Sequence, residues 1–192
     1  DFRKFRPWLE RMVALQQQKA DCLRAPGQSR WDALADLYEP GMCAADLRAL
    51  FGPLRTRLVA LRQRLGDGTP PSDAFWRVPI AEPQQEAFVR AVATAMGFDA
   101  EHGRIDRSAH PFCTRVGDDV RLTTRFHRDR VLDALGSTMH EAGHGLYEQG
   151  LESAALGTPL GEAASLGLHE SQSRLWENLV GRSRPFWAHF WP

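Results

Sequence analysis

Apolar positions recur with helical spacing along most of the first hundred residues. Apolar side chains lie at i, i+3 and i+4 intervals over residues 2–23, and this spacing returns over residues 31–38, 44–65 and 82–96. Glycine and proline dominate residues 66–71, which interrupt the pattern. The sequence therefore predicts four helices, with a linker between the third and the fourth.

The spacing changes to a two-residue alternation in the middle of the chain. Residues 112–116 and 119–126 are extended segments on either side of a Gly-Asp turn, and polar and apolar positions alternate in the second segment. This pattern is typical of a β-hairpin with one buried face. Helical spacing returns over residues 129–147 and again from Pro159 to Val180. We therefore expect a mainly α fold with a small β-hairpin or sheet.

Composition and charge narrow the classes of protein to which the chain could belong. The chain has 192 residues, of which 43% are hydrophobic, and its 24 basic and 24 acidic residues balance. A net charge near zero gives no reason to expect nucleic acid as a partner, and no stretch is apolar enough to predict a membrane span. Three widely spaced cysteines and no apparent signal peptide favour a reducing cytoplasm.

One motif has the spacing of metal ligands. The run from His140 to His144 reads His-Glu-Ala-Gly-His, and it lies in a segment with an amphipathic helical pattern. Residues i and i+4 share one helix face, so both imidazoles can reach one zinc ion at about 2.0–2.1 Å. Glu141 is well placed to accept a proton from water at the metal. The alternative is a pair of surface histidines on an ordinary helix.

A catalytic zinc ion needs a third protein ligand, and three downstream carboxylates compete for this role. Glu148 is one turn further along the same helix and would have to reach back along its axis. Glu162 and Glu170 lie on the following predicted helix, and spacing alone does not choose between them. Glu170 belongs to a polar cluster in an apolar helix, whereas Glu162 falls in the first turn, where a carboxylate interacts with the helix dipole. These surroundings favour Glu170.

Several motifs in their order along the chain resemble the carboxypeptidase Taq family of zinc metallocarboxypeptidases. The resemblance spans roughly residues 30–191. The matching segments are Tyr38-Glu-Pro-Gly-Met42, His110-Pro-Phe112, Asp119-Val-Arg-Leu-Thr123, residues 137–150, residues 157–162 and residues 169–178.

The resemblance implies a function and a set of site residues. It implies His140, His144 and Glu170 as the ligands of one zinc ion per chain, for which cobalt or manganese could substitute. It implies Glu141 as the general base that assists attack by water. It also implies a helical, gluzincin-like metallopeptidase fold with a small sheet beside the active-site cleft. The expected activity is removal of C-terminal residues from peptides by a cytoplasmic homodimer.

Four further residues are candidates for the site. His110 either contacts substrate or a metal ligand, or makes a structural hydrogen bond. Arg121 either has a role toward substrate or forms a structural ion pair with Asp119 or a nearby glutamate. His169 is expected to support a metal ligand or to contact substrate, and Arg174, one turn beyond Glu170, to orient a carboxylate.

The organisation along the chain has one consequence for activity. We expect a helical segment at residues 1–66 and a zinc-binding catalytic core at residues 67–192, both parts of one larger domain. The resemblance also implies a C-terminal segment that recognises the substrate's terminal carboxylate, and its motifs are not found here. The chain is therefore predicted to be a truncated piece with impaired activity. The alternatives are a self-contained minimal zinc endopeptidase and a zinc-stabilised helical module that binds a partner without catalysis.

Overall fold

The computed structural model describes residues 1–70 and 72–191, and the chain forms two compact units. The first unit is Asp1–Pro70 and the second is Pro71–Pro192. The division falls inside the predicted linker, residues 66–71.

The first unit consists of three helices. They are α1 (Phe2–Leu23), α2 (Arg30–Ala35) and α3 (Ala44–Gly66). Ser29 caps α2 by accepting a hydrogen bond from the backbone of Asp32, as expected for a serine at this position. Among the residues described in this unit, Ala20 and Ala33 alone are buried, so its apolar side chains remain largely exposed.

The second unit begins with a short 3₁₀ turn and one helix and continues into a sheet. After the turn (Ala74–Arg77) and α4 (Glu82–Met96) come β1 (Gly103–Arg107), β2 (Cys113–Val116) and β3 (Asp119–Thr124). The strand order is β1-β3-β2, with β2 antiparallel and β1 parallel to the central strand. The hairpin of β2 and β3 is as predicted from the alternation.

Strand β1 is absent from the sequence-based expectation. Of its five residues only Ile105 is buried, and the flanking Arg104 and Asp106 form an ion pair at 2.7 Å. So short a segment with one buried residue has no alternation long enough to predict a strand. Its place in the sheet depends on pairing with β3, which lies farther along the chain.

Helical segments complete the second unit. They are α5 (Val131–Gln149), short 3₁₀ turns (Ser153–Ala155 and Pro159–Gly161), α6 (Leu166–Arg174), a π-helical segment (Leu175–Val180) and α7 (Arg184–Phe190).

The prediction of one continuous helix from Pro159 to Val180 is wrong at its start. The chain makes a short 3₁₀ turn at Pro159–Gly161, and Glu162 then has extended backbone. Helix α6 begins only at Leu166, because Ser165 caps it by accepting a hydrogen bond from Leu168. Glu162 therefore does not occupy the first turn of a helix, and the helix-dipole role expected for it is also wrong.

Two apolar clusters hold the second unit together along α5, the first against residues 134–139 and the second against Ala142. The first joins α4, α5 and α7 through Val89, Val92, Ala134, Leu135, Met139 and Phe186. The second joins α4, α5 and the sheet through Ala93, Phe98, Ile105, Val120, Leu122 and Ala142. Helix α5 contributes to both clusters and is therefore the central element of this unit.

The expected fold class, mainly helical with a small sheet, is confirmed. None of the helices in the described part of the chain combines the length and the apolar content that a membrane crossing requires. The three cysteines, Cys22, Cys43 and Cys113, are all free.

Candidate metal centre

The motif of two histidines lies in the middle of α5. Burial of Met139 and Ala142 fixes the side of the helix that faces the two apolar clusters. His140 and His144 are one turn apart and project from a neighbouring face, with only 20% and 15% of their side chains exposed. Their ring centroids are 4.9 Å apart. The sequence spacing therefore brings the two imidazoles close together.

Helix α6 and the π-helical segment pack antiparallel to α5. Tyr147 contacts His169, Gly143 faces Ser173, and Met139 lies against Gly181, so positions run in opposite directions along the two elements. The approach is closest at Gly143, where a Cβ atom would lie 2.6 Å from the Cα atom of Ser173. The absence of a side chain at this position allows the backbones to come close enough for Glu170 to reach the histidines.

Glu170 completes a group of three ligand-type side chains. Its Oε2 atom lies 3.6 Å from Nε2 of His140 and 3.3 Å from Nε2 of His144. One ligand atom from each of the three residues lies within 4.8 Å of the others. Two imidazole nitrogens and one carboxylate oxygen are a donor set of catalytic zinc sites, which leave a further position open. The residues present therefore fit a divalent metal ion.

The other two carboxylates considered as third ligands lie elsewhere. Oε1 of Glu148 lies 2.7 Å from Nε2 of His169, so this carboxylate binds a histidine beside the group of ligands. Glu162 is exposed and lies between the 3₁₀ turn and α6. The structure thus brings Glu170, and neither of its competitors, to the two histidines of α5.

Neighbours on its own helix hold Glu170 in the charged form. Burial opposes ionisation, but Arg174 donates to its Oε1 atom at 2.7 Å and Ser173 donates to its Oε2 atom at 3.1 Å. These hydrogen bonds lower the pKa of Glu170 below its ordinary value. Arg174, for which the sequence predicted a role in orienting a carboxylate, therefore contacts the carboxylate of Glu170.

Glu177 is a residue of the site that the sequence analysis gave no role. Its Oε2 atom accepts a hydrogen bond from Nδ1 of His140 at 2.9 Å, and it also receives Arg174 at 3.1 Å. It lies on the π-helical segment, a type of helix that is frequent at functional sites. The signal that could have found it is its spacing of seven residues from Glu170, two helical turns along one face.

Burial shifts the pKa of two residues at this site. Glu141 is 8% exposed, and burial raises the pKa of its carboxyl group, although the nearby charge of His140 acts against this. Burial lowers the pKa of His144, and the neighbouring His169 and His140 lower it further. A neutral imidazole is the form that binds metal, and a carboxylate of raised pKa is suited to accept and release a proton near neutral pH.

A cavity of about 940 Å³ opens beside His140 and Glu141. His110 and Trp187 line it together with His140, Glu141 and Arg174. The other lining residues are Pro111, Arg125, Leu132, Asp133, Leu135, Gly136, Ser137, Met139, Glu177, Gly181 and Arg182.

The segment that carries His110 is held by the sheet. Thr123 accepts a hydrogen bond from the backbone of Phe112 at 3.0 Å, which fixes the segment beside β3. Arg121 is on the same strand but lies outside the cavity lining, where it pairs with Asp119 at 2.6 Å. Of the two residues, the structure therefore brings His110 to the site and leaves Arg121 in the ion pair that was the alternative.

A helix with two histidines one turn apart, joined by a glutamate from an antiparallel helix, is the arrangement of a metallopeptidase. The model of the carboxypeptidase Taq (M32) metallopeptidase family matches residues 1–192. The chain belongs to this family.

Curated and solved relatives agree with the family assignment. The chain is 46% identical to thermostable carboxypeptidase 1 of Thermus thermophilus and 34% identical to carboxypeptidase 1 of Bacillus subtilis, and each comparison covers 100% of the chain. A crystal structure of an M32 carboxypeptidase from Deinococcus radiodurans matches 98% of the chain with a TM-score of 0.86 and 46% identity. The chain spans 40% and 38% of the lengths of the two curated relatives and 38% of the solved one.

Proposed function

We propose that the complete protein is a zinc metallocarboxypeptidase and that this chain carries its metal centre and its general base. The observation that carries the proposal is the convergence of His140, His144 and Glu170 within 4.8 Å, beside the buried Glu141. The names of the relatives, which are carboxypeptidases, support peptides with a free C-terminus as substrates.

Zinc is the metal that this donor set favours. Imidazole and carboxylate ligands suit zinc, although cobalt or manganese can occupy a site of the same geometry. His140, His144 and Glu170 would hold a divalent ion, and this ion would supply Lewis-acid chemistry toward the scissile carbonyl group and the attacking water.

Glu141 has the position and the environment of the proton carrier. Its carboxylate accepts the proton of the attacking water, and it then returns this proton to the nitrogen of the departing amino acid. Burial of Glu141 raises its pKa, which brings the group closer to the neutral range in which it must both gain and lose the proton. The cavity beside it offers room for the last residues of a peptide.

The first experiment measures metal content and cleavage together in the complete protein. After zinc loading, the protein is incubated with one peptide that has a free C-terminus and with the same peptide amidated. We expect one zinc ion per chain and stepwise trimming of the free peptide alone. Cleavage inside the amidated peptide would indicate an endopeptidase, and zinc binding without any cleavage would indicate a structural metal site.

The second experiment tests Glu141 directly. Glu141→Gln keeps the shape of the side chain and removes its ability to accept a proton, so we expect kcat to fall by about 10²–10⁴-fold with zinc content unchanged. Glu101→Gln, at an exposed position of the same unit, is the matched control and should leave kcat unchanged. Full activity of Glu141→Gln would contradict the proposed mechanism.

The resemblance to the carboxypeptidase Taq family also supports a homodimer that works in the cytoplasm. Three free cysteines are typical of a reducing compartment. Sedimentation velocity of the complete protein tests the assembly, and a single species at the monomer mass over the whole concentration range would contradict the dimer.

A further inference from the structure

The two ring nitrogens of His144 face different partners. Nε2 faces Oε2 of Glu170 at 3.3 Å, on the side where the three ligand-type atoms converge. Nδ1 lies on the opposite side of the ring, 2.5 Å from Nδ1 of His169. At this distance one of the two histidines must donate a proton to the other.

The second ring nitrogen of His169 decides the direction of that bond. Nε2 of His169 is 2.7 Å from Oε1 of Glu148, and an ionised carboxylate only accepts hydrogen bonds. Nε2 of a neutral His169 therefore carries the proton, and its Nδ1 atom is left as an acceptor. It follows that His144 donates from Nδ1, which leaves the lone pair of its Nε2 atom facing Glu170.

Glu148 is itself fixed at the far end of this chain of contacts. Nη1 of Arg115 lies 3.8 Å from Oε2 of Glu148, and the Arg115 side chain is 9% exposed. Arg115 is held by two backbone carbonyls, those of Gly117 at 2.8 Å and Gly161 at 3.2 Å. The chain thus runs from a buried arginine of β2 through Glu148 and His169 to His144.

His140 has a shorter support of a different kind. Its Nδ1 atom donates directly to the carboxylate of Glu177 at 2.9 Å. A carboxylate that accepts from a metal-binding histidine is common, and it fixes both the tautomer and the orientation of the ring. The two histidines of α5 therefore reach the same tautomer by different routes, one through a carboxylate and the other through a second histidine.

We propose that His169 and Glu148 are positioning residues that hold His144 in the tautomer and orientation required for metal binding. The inference rests on the metal site of the proposed function. It assigns His169 to the support of His144. Glu148 then acts on the metal centre through His169 and is not itself a ligand.

Metal affinity is the first measurement, made on the complete protein by competition with a chelator. Loss of a partner of this kind lowers metal affinity by roughly 10–100-fold. We expect this loss in His169→Ala, a smaller loss in Glu148→Ala, and the smallest in Glu148→Gln, which retains an oxygen acceptor. The visible spectrum of the cobalt-loaded protein should change in the same order.

His102→Ala is the matched control. His102 also forms a hydrogen-bonded pair with a carboxylate, Asp99, at 2.6 Å, but its side chain is 63% exposed and it does not contact His144. Metal affinity should stay within twofold of the parent protein. Glu148→Ala, which removes the acceptor of His169, serves as the deciding variant if His169→Ala does not fold.

The second measurement does not require metal. Histidine-selective ¹⁵N NMR of the metal-free protein, at a pH where the rings are neutral, reports which nitrogen carries the proton. We expect the proton of His144 on Nδ1 and that of His169 on Nε2. In His169→Ala, His144 loses the imidazole acceptor and keeps its hydrogen bond with the backbone of residue 169, so the fraction of His144 with its proton on Nε2 should rise.

The two measurements separate the possible failures. A parent protein that takes up no metal would contradict the proposed function, while the NMR spectrum would still decide the state of His144. A proton on Nε2 of His144 in the parent protein would overturn the positioning proposal. Metal affinity unchanged within twofold in His169→Ala, or in Glu148→Ala if His169→Ala does not fold, would also overturn it.

Discussion

Two glycines of α5, two residues apart, lie at close contacts on different sides of the helix. A Cβ atom on Gly143 would meet backbone atoms of Ser173 and Gln172 at 2.6 and 2.7 Å. A Cβ atom on Gly145 would meet the side-chain ends of Leu122 and Phe98, both at 3.0 Å. Gly143 therefore faces the helix that carries Glu170, and Gly145 faces the apolar cluster at the sheet.

The difference between these contacts separates the site from the core. Backbone cannot move away without shifting its whole helix, whereas the end of a leucine or phenylalanine side chain can turn by a few tenths of an ångström. The α6 side of α5 therefore determines whether the three ligand-type residues meet. The sheet side determines how stably α5 is held.

Gly143→Ala is expected to have the largest effect. The added methyl group must push α6 away from α5, which moves Glu170 from the histidines, and such overpacking costs about 3 kcal/mol of stability. We expect zinc affinity, measured by chelator competition, to fall at least about 100-fold. This is the effect of losing a ligand, and it exceeds the usual effect of losing a residue that only supports a ligand.

The matched control for this substitution is Gly136→Ala on the same helix. A Cβ atom on Gly136 meets no atom within 4 Å, so the change should raise stability by about 0.5–1 kcal/mol through helix propensity and leave zinc affinity unaltered. Equal zinc affinity in Gly143→Ala and the control would show that the close approach of the two helices does not set the geometry of the ligands.

Gly145→Ala is expected to have a smaller effect that is confined to stability. Leu122 and Phe98 must repack around the methyl group, which costs about 1–2 kcal/mol, while His140, His144 and Glu170 keep their places. Urea unfolding measures the first quantity and chelator competition the second. A loss of zinc affinity as large as that of Gly143→Ala would mean that the two sides of α5 are not independent.

The fold was predictable where a pattern is local. The helix over residues 129–147 and the hairpin of β2 and β3 follow from spacing within one segment, and the structure contains both. Strand β1 has one buried residue, Ile105, and exists because a distant strand pairs with it. The start of α6 was missed because a proline can begin a helix, whereas here Ser165 provides the cap.

The site was predictable to the extent that its residues share one helix face. His140, Glu141 and His144 come together through helical spacing alone. Glu177 and Arg115 could not be assigned in this way, because they reach the site from the π-helical segment and from β2. The role of Glu170 depends on a helix contact made at Gly143, which no spacing along the chain specifies.

The smallest effect is expected from the cap of α6. Ser165 accepts a hydrogen bond from the backbone of Leu168 at 3.1 Å, so Ser165→Ala should lower stability by about 1 kcal/mol. The matched control is Ser183→Ala, which removes the equivalent cap of α7 at Phe186 and should cost about the same.

Zinc affinity distinguishes these two caps. Helix α6 carries Glu170 and His169, so fraying of its first turn should weaken zinc binding. We expect zinc affinity to fall about twofold to fivefold, which corresponds to a fraction of 1 kcal/mol. Helix α7 carries none of the ligand-type residues, and Ser183→Ala should leave zinc binding as it is in the parent protein. Equal zinc affinities in the two variants would show that Glu170 is held by its contacts with α5 alone, since the contact at Gly143 would then fix α6 without help from its cap.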